Sequence, residues 1–357
     1  MQAIIIAGGQ GTRLRPLTYD LPKPIIPIFN RPLLYYQIEL LKRHGITDII
    51  LNLHYLADVL ETTLGDGSAW GVQLRYVYES QPMGTAGAVA LARPLLGREP
   101  VLVLNGDVLT DLDLTRFLAF HRDLRAKVSI GLTRVSDPTA YGLVFVDPHG
   151  RVSRFLEKPS YDEAVVDTVS AGLYWLEPEV LDRIPAGEPY SFERGLFPSL
   201  LADGQVLGGY FGRSYWLDIG TPRKYYQAHH DILSGRLALS IPDIRPNADQ
   251  IWIGPGTEID PSASLLGPVY LGRGVRIGRH ARINPYTIIG DGVTIGDGAW
   301  IGESLIWPHS VIGPACRLQG AIVGKHCQLE RDCQIGHGMV LGGETRLGKG
   351  SILIPGR

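Results

Sequence analysis

The sequence predicts an α/β protein in two parts: a Rossmann-like domain with a mostly parallel sheet over residues 1–235, and a β-helix of about six coils over residues 251–357. Two observations predict this architecture. The first part alternates strand-length apolar runs with helical patterns, which is typical of a parallel sheet covered by helices. The second part repeats an aliphatic residue every six positions, which is typical of a hexapeptide β-helix. Residues 236–250 carry two prolines and no helical pattern, so we interpret them as a linker.

The first predicted strand, residues 3–7, leads directly into a glycine-rich turn that contains Gly8, Gly9 and Gly11. Glycines let a backbone approach a ligand closely and point its N–H groups toward an anion. The turn lacks the Gly-Lys-Ser/Thr ending of a P-loop, and Leu14 occupies the last glycine position of a dinucleotide fingerprint. The glycines alone would equally fit a tight turn that binds nothing.

Basic side chains follow this turn. Arg13, Arg15 and Lys23 come within the next positions of the chain, and guanidinium and ammonium groups suit a polyphosphate. The glycine-rich turn together with these charges therefore predicts a site for a nucleotide triphosphate.

The next predicted strands also end in turns. A predicted helix ends at Gly45, where glycine is a natural C-terminal stop, and the strand 48–53 follows. The strand 101–104 ends at Asn105-Gly106-Asp107. Ligands of such sheets bind beyond the carboxyl ends of parallel strands, so this turn and the glycine-rich turn are expected at one edge.

Two aspartates at strand ends are candidate metal ligands. Asp107 follows one apolar run, and Asp218 follows another just before Thr221. Mg²⁺ bound to nucleotide phosphates usually takes only one or two carboxylates from the protein. The alternative for each is a helix cap.

Further candidates lie between these aspartates. An extended strand would place Glu157 and Lys158 on opposite faces, so that Glu157 accepts sugar hydroxyls while Lys158 holds a phosphate; the alternative is a surface charge pair. Gly142 and residues 170–172 allow close approach of a ligand. The loop 81–87 precedes a predicted helical stretch, residues 88–92, and can accept a flat base edge-on.

The repeats predict eighteen short strands, hence six coils with three strands each and a rod about 29 Å long. The aliphatic anchors are Ile253, Ile259, Leu265, Leu271, Ile277, Ile283, Ile289, Ile295, Ile301, Ile306, Ile312, Leu318, Val323, Leu329, Ile335, Leu341, Leu347 and Leu353. Cys316, Cys327 and Cys333 each lie two positions before an anchor, where small residues prevail. We therefore expect them to be small core residues.

Composition excludes some partners. Apolar residues make up 45% and charged residues 20% of the chain, and the net charge is −2. Neither nucleic acid nor an anionic membrane surface is expected as a partner, because there is no basic excess. The apolar runs are strand-sized, and no signal peptide is visible. The sequence predicts a cytoplasmic protein.

Six ordered motifs resemble those of the sugar-1-phosphate nucleotidyltransferases, and most closely the branch that transfers guanylyl groups to mannose 1-phosphate. The motifs are residues 8–18, 22–24, 82–87, 105–107, 157–159 and 216–220. The resemblance spans nearly the whole chain, because this family also carries a C-terminal left-handed β-helix. It implies transfer of a nucleotidyl group from GTP to mannose 1-phosphate with release of pyrophosphate.

The resemblance also implies roles for particular residues. Arg13 and Lys23 would hold the triphosphate, Asp107 and Asp218 the Mg²⁺ cofactor, and Lys158 the phosphate of the sugar phosphate. The other residues expected to bind the nucleotide are Ala7, Gly8, Gly9, Gly11, Thr12, Gln81, Pro82, Gly84, Thr85 and Gly106. The other residues expected to bind the sugar phosphate are Gly142, Glu157, Ser170 and Gly172.

Two departures from the family pattern leave the substrates open. Family members usually have Asn where this chain has Ser170, and close relatives often have an acidic residue where it has Gln81. A glucose-1-phosphate thymidylyl- or uridylyltransferase is therefore an alternative. Thymidylyltransferases, however, have Leu-Gly-Asp-Asn around the metal aspartate, whereas this chain has Asn-Gly-Asp-Val at 105–108.

Two other functions compete. A non-catalytic regulatory homologue would bind a nucleotide sugar without turnover, but it would be expected to lose charged site residues. A β-helix acyltransferase would use His309, His326 or His337 as a base, but the repeats carry no long inserted loop. We also expect a homo-oligomer that assembles through the β-helix, because the ends of a coil stack expose backbone groups and apolar side chains.

Overall fold

The computed structural model describes residues 1–157, 160, 162, 165–237 and 244–355. Lys158 and residues 238–243 of the predicted linker lie outside the described residues. The chain forms two compact units, each built from two stretches of sequence. The first unit comprises Met1–Gln10 with Leu34–Asp218, and the second comprises Gly11–Leu33 with Ile219–Arg357.

The described part of residues 1–237 forms thirteen strands and six α-helices. In chain order they are β1 (Gln2–Ile6), β2 (Pro27–Ile28), β3 (Arg31–Pro32), α1 (Leu33–Arg43), β4 (Asp48–Leu53), α2 (Ala57–Leu64), β5 (Gln73–Tyr78), α3 (Gly84–Leu91), β6 (Val101–Asn105), β7 (Val108–Thr110), α4 (Leu114–Leu124), β8 (Val128–Arg134), β9 (Gly142–Val146), β10 (Val152–Glu157), β11 (Thr168–Leu176), α5 (Phe197–Ala202), β12 (Leu207–Phe211), β13 (Trp216–Asp218) and α6 (Pro222–Leu233). Short 3₁₀-helices cover Thr12–Leu14 and Lys23–Ile25, and a π-helix covers Phe192–Leu196. No helix of the described part is long and apolar enough to span a membrane.

The predicted elements around the strand ends are confirmed, with shifted bounds for three of them. Strand β1 covers Gln2–Ile6 rather than residues 3–7, and β6 includes Asn105. Strand β4 has the predicted bounds, and α1 ends just before Gly45, whose φ is 74°. Helix α3 begins at Gly84 rather than at Ala88, so the last four residues of the predicted loop 81–87 form its first turn.

A nine-stranded mixed sheet forms the centre of the first unit. The strand order is β10-β9-β11-β6-β1-β4-β5, with β8 paired to β11 and β12 paired to β8. Strands β6, β1, β4 and β5 are parallel neighbours, whereas β11 runs antiparallel to β6, β8 and β9. The α/β prediction is confirmed, and the parallel arrangement holds for the half of the sheet that carries the glycine-rich turn.

Both faces of this sheet are buried. Ile4 and Ile50 belong to one apolar cluster with Val89 of α3 and Phe192 of the π-helix. Their neighbours Ile5 and Ile49 also have no exposed surface. Alternate side chains of a strand point to opposite faces, so other parts of the chain cover each face of the sheet.

The repeats form three parallel sheets of six strands each. Their strands are β14 (Ile251–Ile253), β15 (Glu258–Ile259), β16 (Ser264–Leu265), β17 (Val269–Leu271), β18 (Arg276–Ile277), β19 (Arg282–Ile283), β20 (Thr287–Ile289), β21 (Thr294–Ile295), β22 (Trp300–Gly302), β23 (Leu305–Ile306), β24 (Val311–Ile312), β25 (Arg317–Gln319), β26 (Ile322–Val323), β27 (Gln328–Leu329), β28 (Gln334–Ile335), β29 (Val340–Leu341), β30 (Arg346–Leu347) and β31 (Ile352–Leu353). Each strand pairs with the third strand after it, as β14 does with β17. Six strands on each face confirm the six predicted coils.

The interior of the β-helix contains most of the anchors and the three cysteines, whereas Ile253, the first anchor, is 42% exposed. Cys316, Cys327 and Cys333 have no exposed surface and form no disulfide. Their thiols donate to backbone carbonyl oxygens at 3.0–3.3 Å. Burial raises the pKa of Cys316 to about 11, so it remains a thiol. The prediction that the cysteines are core residues is confirmed.

Candidate active site

The glycine-rich turn and Asp107 lie at the same edge of the sheet. Ile6 at the end of β1 pairs with Asn105 at the end of β6. The N–H of Gly106 donates to the carbonyl oxygen of Ile6 at 2.9 Å, and the N–H of Ala7 donates to that of Asn52 on the other side, also at 2.9 Å. Hydrogen bonds between neighbouring strands therefore hold the two turns in a fixed relation.

Two glycines at this edge pack closely against their neighbours, Gly106 against backbone and Gly8 against the end of the Glu79 side chain. A Cβ on Gly106 would lie 2.7 Å from the carbonyl oxygen of Ile6. A Cβ on Gly8 would lie 2.8 Å from Oε1 of Glu79. Real Cβ atoms do not approach other atoms so closely, so glycine permits the tight packing of both turns.

Gln37 of α1 braces the turn that carries Asp107. Its Nε2 donates to the carbonyl oxygen of Asn105 at 2.9 Å and to that of Val108 at 2.7 Å. The side chain is 2% exposed. Sequence reasoning missed this residue. The one indication in the sequence is that a glutamine stands among the apolar positions of α1.

Asp107 and Asp218 come together although 111 positions separate them in the chain. Strands β7 and β13 form an antiparallel ribbon in which Asp218 pairs with Val108, the residue after Asp107. The hydroxyl of Tyr141 donates to Oδ1 of Asp218 at 2.9 Å. Two carboxylates are enough protein ligands for Mg²⁺ that takes its remaining ligands from phosphate and water. A group of three or more metal-ligating side chains does not occur among the described residues.

Glu79 is a buried carboxylate beside the glycine-rich turn, and sequence reasoning missed it. It follows β5 and is 9% exposed. Its Oε2 accepts the N–H of Met83 at 3.0 Å, which shapes the loop before α3. Burial raises the pKa of this carboxyl, because a low-dielectric surrounding disfavours the charged form.

The predicted base-binding loop ends in the first turn of α3. Gln81 and Pro82 are exposed. Gly84 has φ 70°, and a Cβ there would lie 2.7 Å from the carbonyl oxygen of Tyr190. That oxygen accepts the N–H groups of Ala86 and Gly87, each at 3.0 Å. These two N–H groups therefore form hydrogen bonds within the protein.

A hydrogen-bond network joins this loop to the predicted sugar-binding strand. Glu193 of the π-helix accepts the hydroxyl of Thr85 at 3.0 Å and that of Tyr174 at 3.1 Å. The Tyr174 hydroxyl also lies 3.0 Å from that of Ser170. π-Helical turns often occur at functional sites. Neither Glu193 nor Tyr174 was predicted from the sequence.

The predicted sugar-binding residues of the first unit also converge. Glu157 pairs with Gly142 between β10 and β9, and the next residue of β9 pairs with Val169 of β11. A Cβ on Gly142 would lie 2.8 Å from Oε2 of Glu157. Gly172, at φ 72°, packs against Asn105, since a Cβ there would lie 2.6 Å from its Nδ2.

The basic candidates belong to the second unit, where Gly11 organises their loop. Gly11 has φ 61° and precedes the 3₁₀-helix Thr12–Leu14. A Cβ on Gly11 would lie 3.0 Å from Cβ of Lys23 and 3.3 Å from Cγ2 of Thr18, whose hydroxyl donates to the Gly11 carbonyl oxygen at 2.9 Å. Arg13 is exposed, whereas Lys23 is 8% exposed.

Comparison with known protein families identifies the family of each part of the chain. Residues 2–235 match the family described as Nucleotidyl transferase, and residues 248–353 match the EIF2B subunit epsilon LbH domain. This chain belongs to the nucleotidyl transferase family. The second match confirms the predicted left-handed β-helix.

Relatives of this nucleotidyl transferase include enzymes with different named substrates. It is 42% identical to a mannose-1-phosphate guanylyltransferase of Mycobacterium tuberculosis, over 77% of this chain and 76% of the relative. It is 34% identical to a UTP–glucose-1-phosphate uridylyltransferase of Synechocystis, over 76% of this chain and 78% of the relative. The crystal structure of HddC from Yersinia pseudotuberculosis complexed with GMP-PN superposes with a TM-score of 0.55 at 30% identity, over 64% of this chain and 97% of that one.

The geometry suits the chemistry of a nucleotidyl transferase. Phosphoryl transfer depends chiefly on positioning and on neutralising negative charge. The first unit contains a closely packed glycine turn and two aspartates whose backbones lie side by side. Within the second unit, Arg13 is exposed and Lys23 is largely buried. The chain is an enzyme that transfers a nucleotidyl group to a sugar 1-phosphate.

Proposed function

We propose that this enzyme transfers the guanylyl group of GTP to mannose 1-phosphate and releases pyrophosphate. The observation that carries the proposal is the ribbon of β7 and β13, which pairs Asp218 with Val108, the residue after Asp107, at the sheet edge that carries the glycine-rich turn. The chain is also 42% identical to a mannose-1-phosphate guanylyltransferase.

The two aspartates at the strand ends are the proposed ligands of Mg²⁺. Asp107 and Asp218 would hold the ion, with Tyr141 orienting the Asp218 carboxylate through its hydrogen bond of 2.9 Å. When bound, Mg²⁺ supplies positive charge that neutralises phosphate oxygens. The donor set fits this ion because both ligands are hard carboxylate oxygens and phosphate can complete the coordination.

The basic residues are proposed to bind the phosphates. Arg13 and Lys23 would hold the triphosphate, and Lys158 would hold the phosphate of the sugar phosphate. Glu157 would accept sugar hydroxyls, while Gly142 and residues 170–172 allow the sugar to approach the backbone. A side chain at position 142 would collide first with the ring of Phe155 and then with the Glu157 carboxylate.

The proposed reaction needs no general base. An oxygen of the sugar 1-phosphate attacks the α-phosphorus, and the bond from that phosphorus to the departing pyrophosphate breaks. The nucleophile is already an anion, so no proton must be removed, and neither a covalent intermediate nor a histidine is required. Catalysis then rests on alignment of the reactants and neutralisation of their charges.

The choice of nucleotide and sugar is proposed to depend on the loop before α3 and on Ser170. Gln81 and Pro82 are exposed and Thr85 is half-buried, so the loop presents side chains to a base. The hydroxyls of Thr85 and Ser170 belong to one network through Glu193 and Tyr174. A change of the base loop is therefore expected to affect the sugar side as well.

Pyrophosphate release tests the proposal directly. The full chain is assayed with Mg²⁺ and each of GTP, ATP, UTP and dTTP, combined with mannose 1-phosphate or glucose 1-phosphate. We expect the highest kcat/KM for GTP with mannose 1-phosphate. A preference for UTP or dTTP with glucose 1-phosphate would support the alternative, and substitutions of Gln81 or Ser170 should then shift the ratio by at most a few kcal/mol. Nucleotide binding without pyrophosphate release from any pair would support the regulatory alternative.

Two wider properties complete the proposal. We propose that the protein acts in the cytoplasm, where nucleoside triphosphates are available to it. We also propose that it forms a homo-oligomer through the β-helix, because Ile352 and Ile354 on its last coil are 59% and 64% exposed.

A further inference from the structure

The loop that carries Arg13 and Lys23 has its partners on the β-helix. The segment 11–33, here called the basic loop, belongs to the same compact unit as the repeats. Asp20 of the basic loop forms an ion pair with Lys325, at 2.9 Å between Oδ2 and Nζ. The two side chains are 50% and 33% exposed.

A second contact lies beside this ion pair. Gly342, the residue after the anchor Leu341, faces Pro16 of the basic loop. A Cβ on Gly342 would lie 3.2 Å from Cβ of Pro16 and 3.6 Å from its Cγ. The absence of a side chain on the β-helix therefore leaves the space that Pro16 occupies.

The far end of the basic loop is fixed to the β-helix as well. Nδ2 of Asn30 donates to Oδ1 of Asp291 at 2.7 Å. The same oxygen accepts the N–H of Arg273 at 2.8 Å, so its position is set by the coil. The ring of Phe29 packs edge-on against Tyr270 at 5.1 Å.

The first two contacts fall between the two basic residues. Pro16 and Asp20 lie between Arg13 and Lys23 in the sequence, and Gly11 packs directly against Lys23. A shift of Pro16 or Asp20 would therefore move both cations. We propose that Lys325 and Gly342 of the β-helix are positioning residues for the nucleotide triphosphate, acting through the basic loop. This inference rests on the function proposed for Arg13 and Lys23.

The contacts are suited to positioning rather than to folding. An ion pair between partly exposed side chains contributes little to stability. Alignment of reacting groups, in contrast, is sensitive to small displacements. Removal of the ion pair should therefore change the kinetics for the nucleotide before it changes the melting temperature.

Matched lysine variants of the full chain provide the test. Lys325→Met removes the ion pair, and Lys349→Met is its control, because each lysine follows an anchor-glycine pair of the repeat. We expect Lys325→Met to raise the KM for GTP about 3- to 10-fold. The KM for mannose 1-phosphate and the melting temperature should match those of Lys349→Met. Lys325→Arg should restore the KM for GTP.

Glycine variants give an independent test without a change of charge. Gly342→Ala forces Pro16 to move by a few tenths of an ångström, whereas a Cβ on Gly348 meets no atom within 4 Å among the described residues. Gly342→Ala should raise the KM for GTP, and Gly348→Ala should not. Equal KM values for GTP within both matched pairs would overturn the positioning role. An inactive wild-type enzyme with every substrate pair would instead contradict the proposed function.

Discussion

At the scale of single residues, the proposed metal site depends on neighbours that fix two carboxylates. The ribbon of β7 and β13 sets the backbone of Asp107 beside that of Asp218, and Gln37 holds the turn before the ribbon through two carbonyl oxygens. Tyr141 fixes one carboxylate oxygen of Asp218. Carboxylates that are fixed in this way would hold Mg²⁺ in place without having to reorganise during the reaction.

Replacement of Asp107 tests this arrangement. Asp107→Asn keeps the size of the side chain but removes the negative charge that would hold Mg²⁺. We expect kcat for pyrophosphate release to fall by roughly two orders of magnitude or more, with an unchanged melting temperature. Asp123→Asn on the exposed face of α4 is the control. Near-normal turnover of Asp107→Asn would contradict the assignment.

Some of these residues can be predicted from the sequence and others cannot, for a physical reason. Asp107 and Asp218 are visible because each follows an apolar run, where a parallel sheet presents its ligands. Gln37 and Glu193 are concealed because their importance comes from partners that are distant in the chain. Glu79 is concealed because its importance comes from burial beside Gly8. A polar side chain that will be buried cannot be distinguished in sequence from one that will be exposed.

At the scale of elements, the π-helix links parts of the site that the sequence presents as separate motifs. Glu193 contacts Thr85 at the start of α3 and Tyr174 on β11. The pairing of β11 with β8 is irregular between Ser170 and Tyr174, and such bulges often lie beside functional sites. The hexapeptide strands were predictable because their period is local, whereas the antiparallel course of β11 depends on its distant partners.

Helix α4 provides a prediction about pH. His121 has no exposed surface, and its Nδ1 lies 2.9 Å from the Ser129 hydroxyl. Burial, with a smaller contribution from Arg122, lowers the pKa of His121 to about 4. Between pH 6.5 and 4 the unfolded chain therefore binds a proton that the folded chain does not. The stability that this histidine contributes is complete above pH 6.5 and falls as the pH decreases.

The size of this effect can be measured by denaturation. Acidification from pH 7.5 to pH 4 should lower the free energy of unfolding by up to about 3 kcal/mol through His121. The Glu177 carboxylate lies 3.4 Å from Nε2 of His121. His121→Gln should lose less stability on acidification than wild type, whereas the exposed His149→Gln should follow wild type. Identical pH dependence in all three proteins would show that His121 does not titrate as described.

At the scale of the whole molecule, the compact units differ from the division that the motifs suggest. The predicted domain boundaries follow changes in periodicity, at residues 235 and 251. The segment 11–33 nevertheless belongs to the unit of the repeats, since Asp20, Phe29 and Asn30 have partners there. These contacts join residues more than 200 positions apart, so no local pattern could predict them.

The last coil of the β-helix carries the prediction about assembly. Strand β31 is the edge strand of its sheet, so one side of its backbone has no partner strand in the part of the chain that the structure describes. Edges of this kind readily pair with another chain. Ile352 and Ile354 are exposed here, by 59% and 64%. Exposed apolar groups that adjoin an open edge are typical of an interface. We therefore expect two copies of the chain to associate through this end.

Charged substitutions distinguish this contact from a lateral one. The double variant Ile352→Lys, Ile354→Lys should dissociate the oligomer in sedimentation velocity at micromolar concentration, because each lysine would have to be desolvated in the interface. Val311→Lys, on the inner strand β24 of another face, where Val311 is 43% exposed, should leave the oligomer intact. Dissociation by Val311→Lys alone would show that the interface lies on that face. A monomeric wild-type protein would contradict the predicted oligomer.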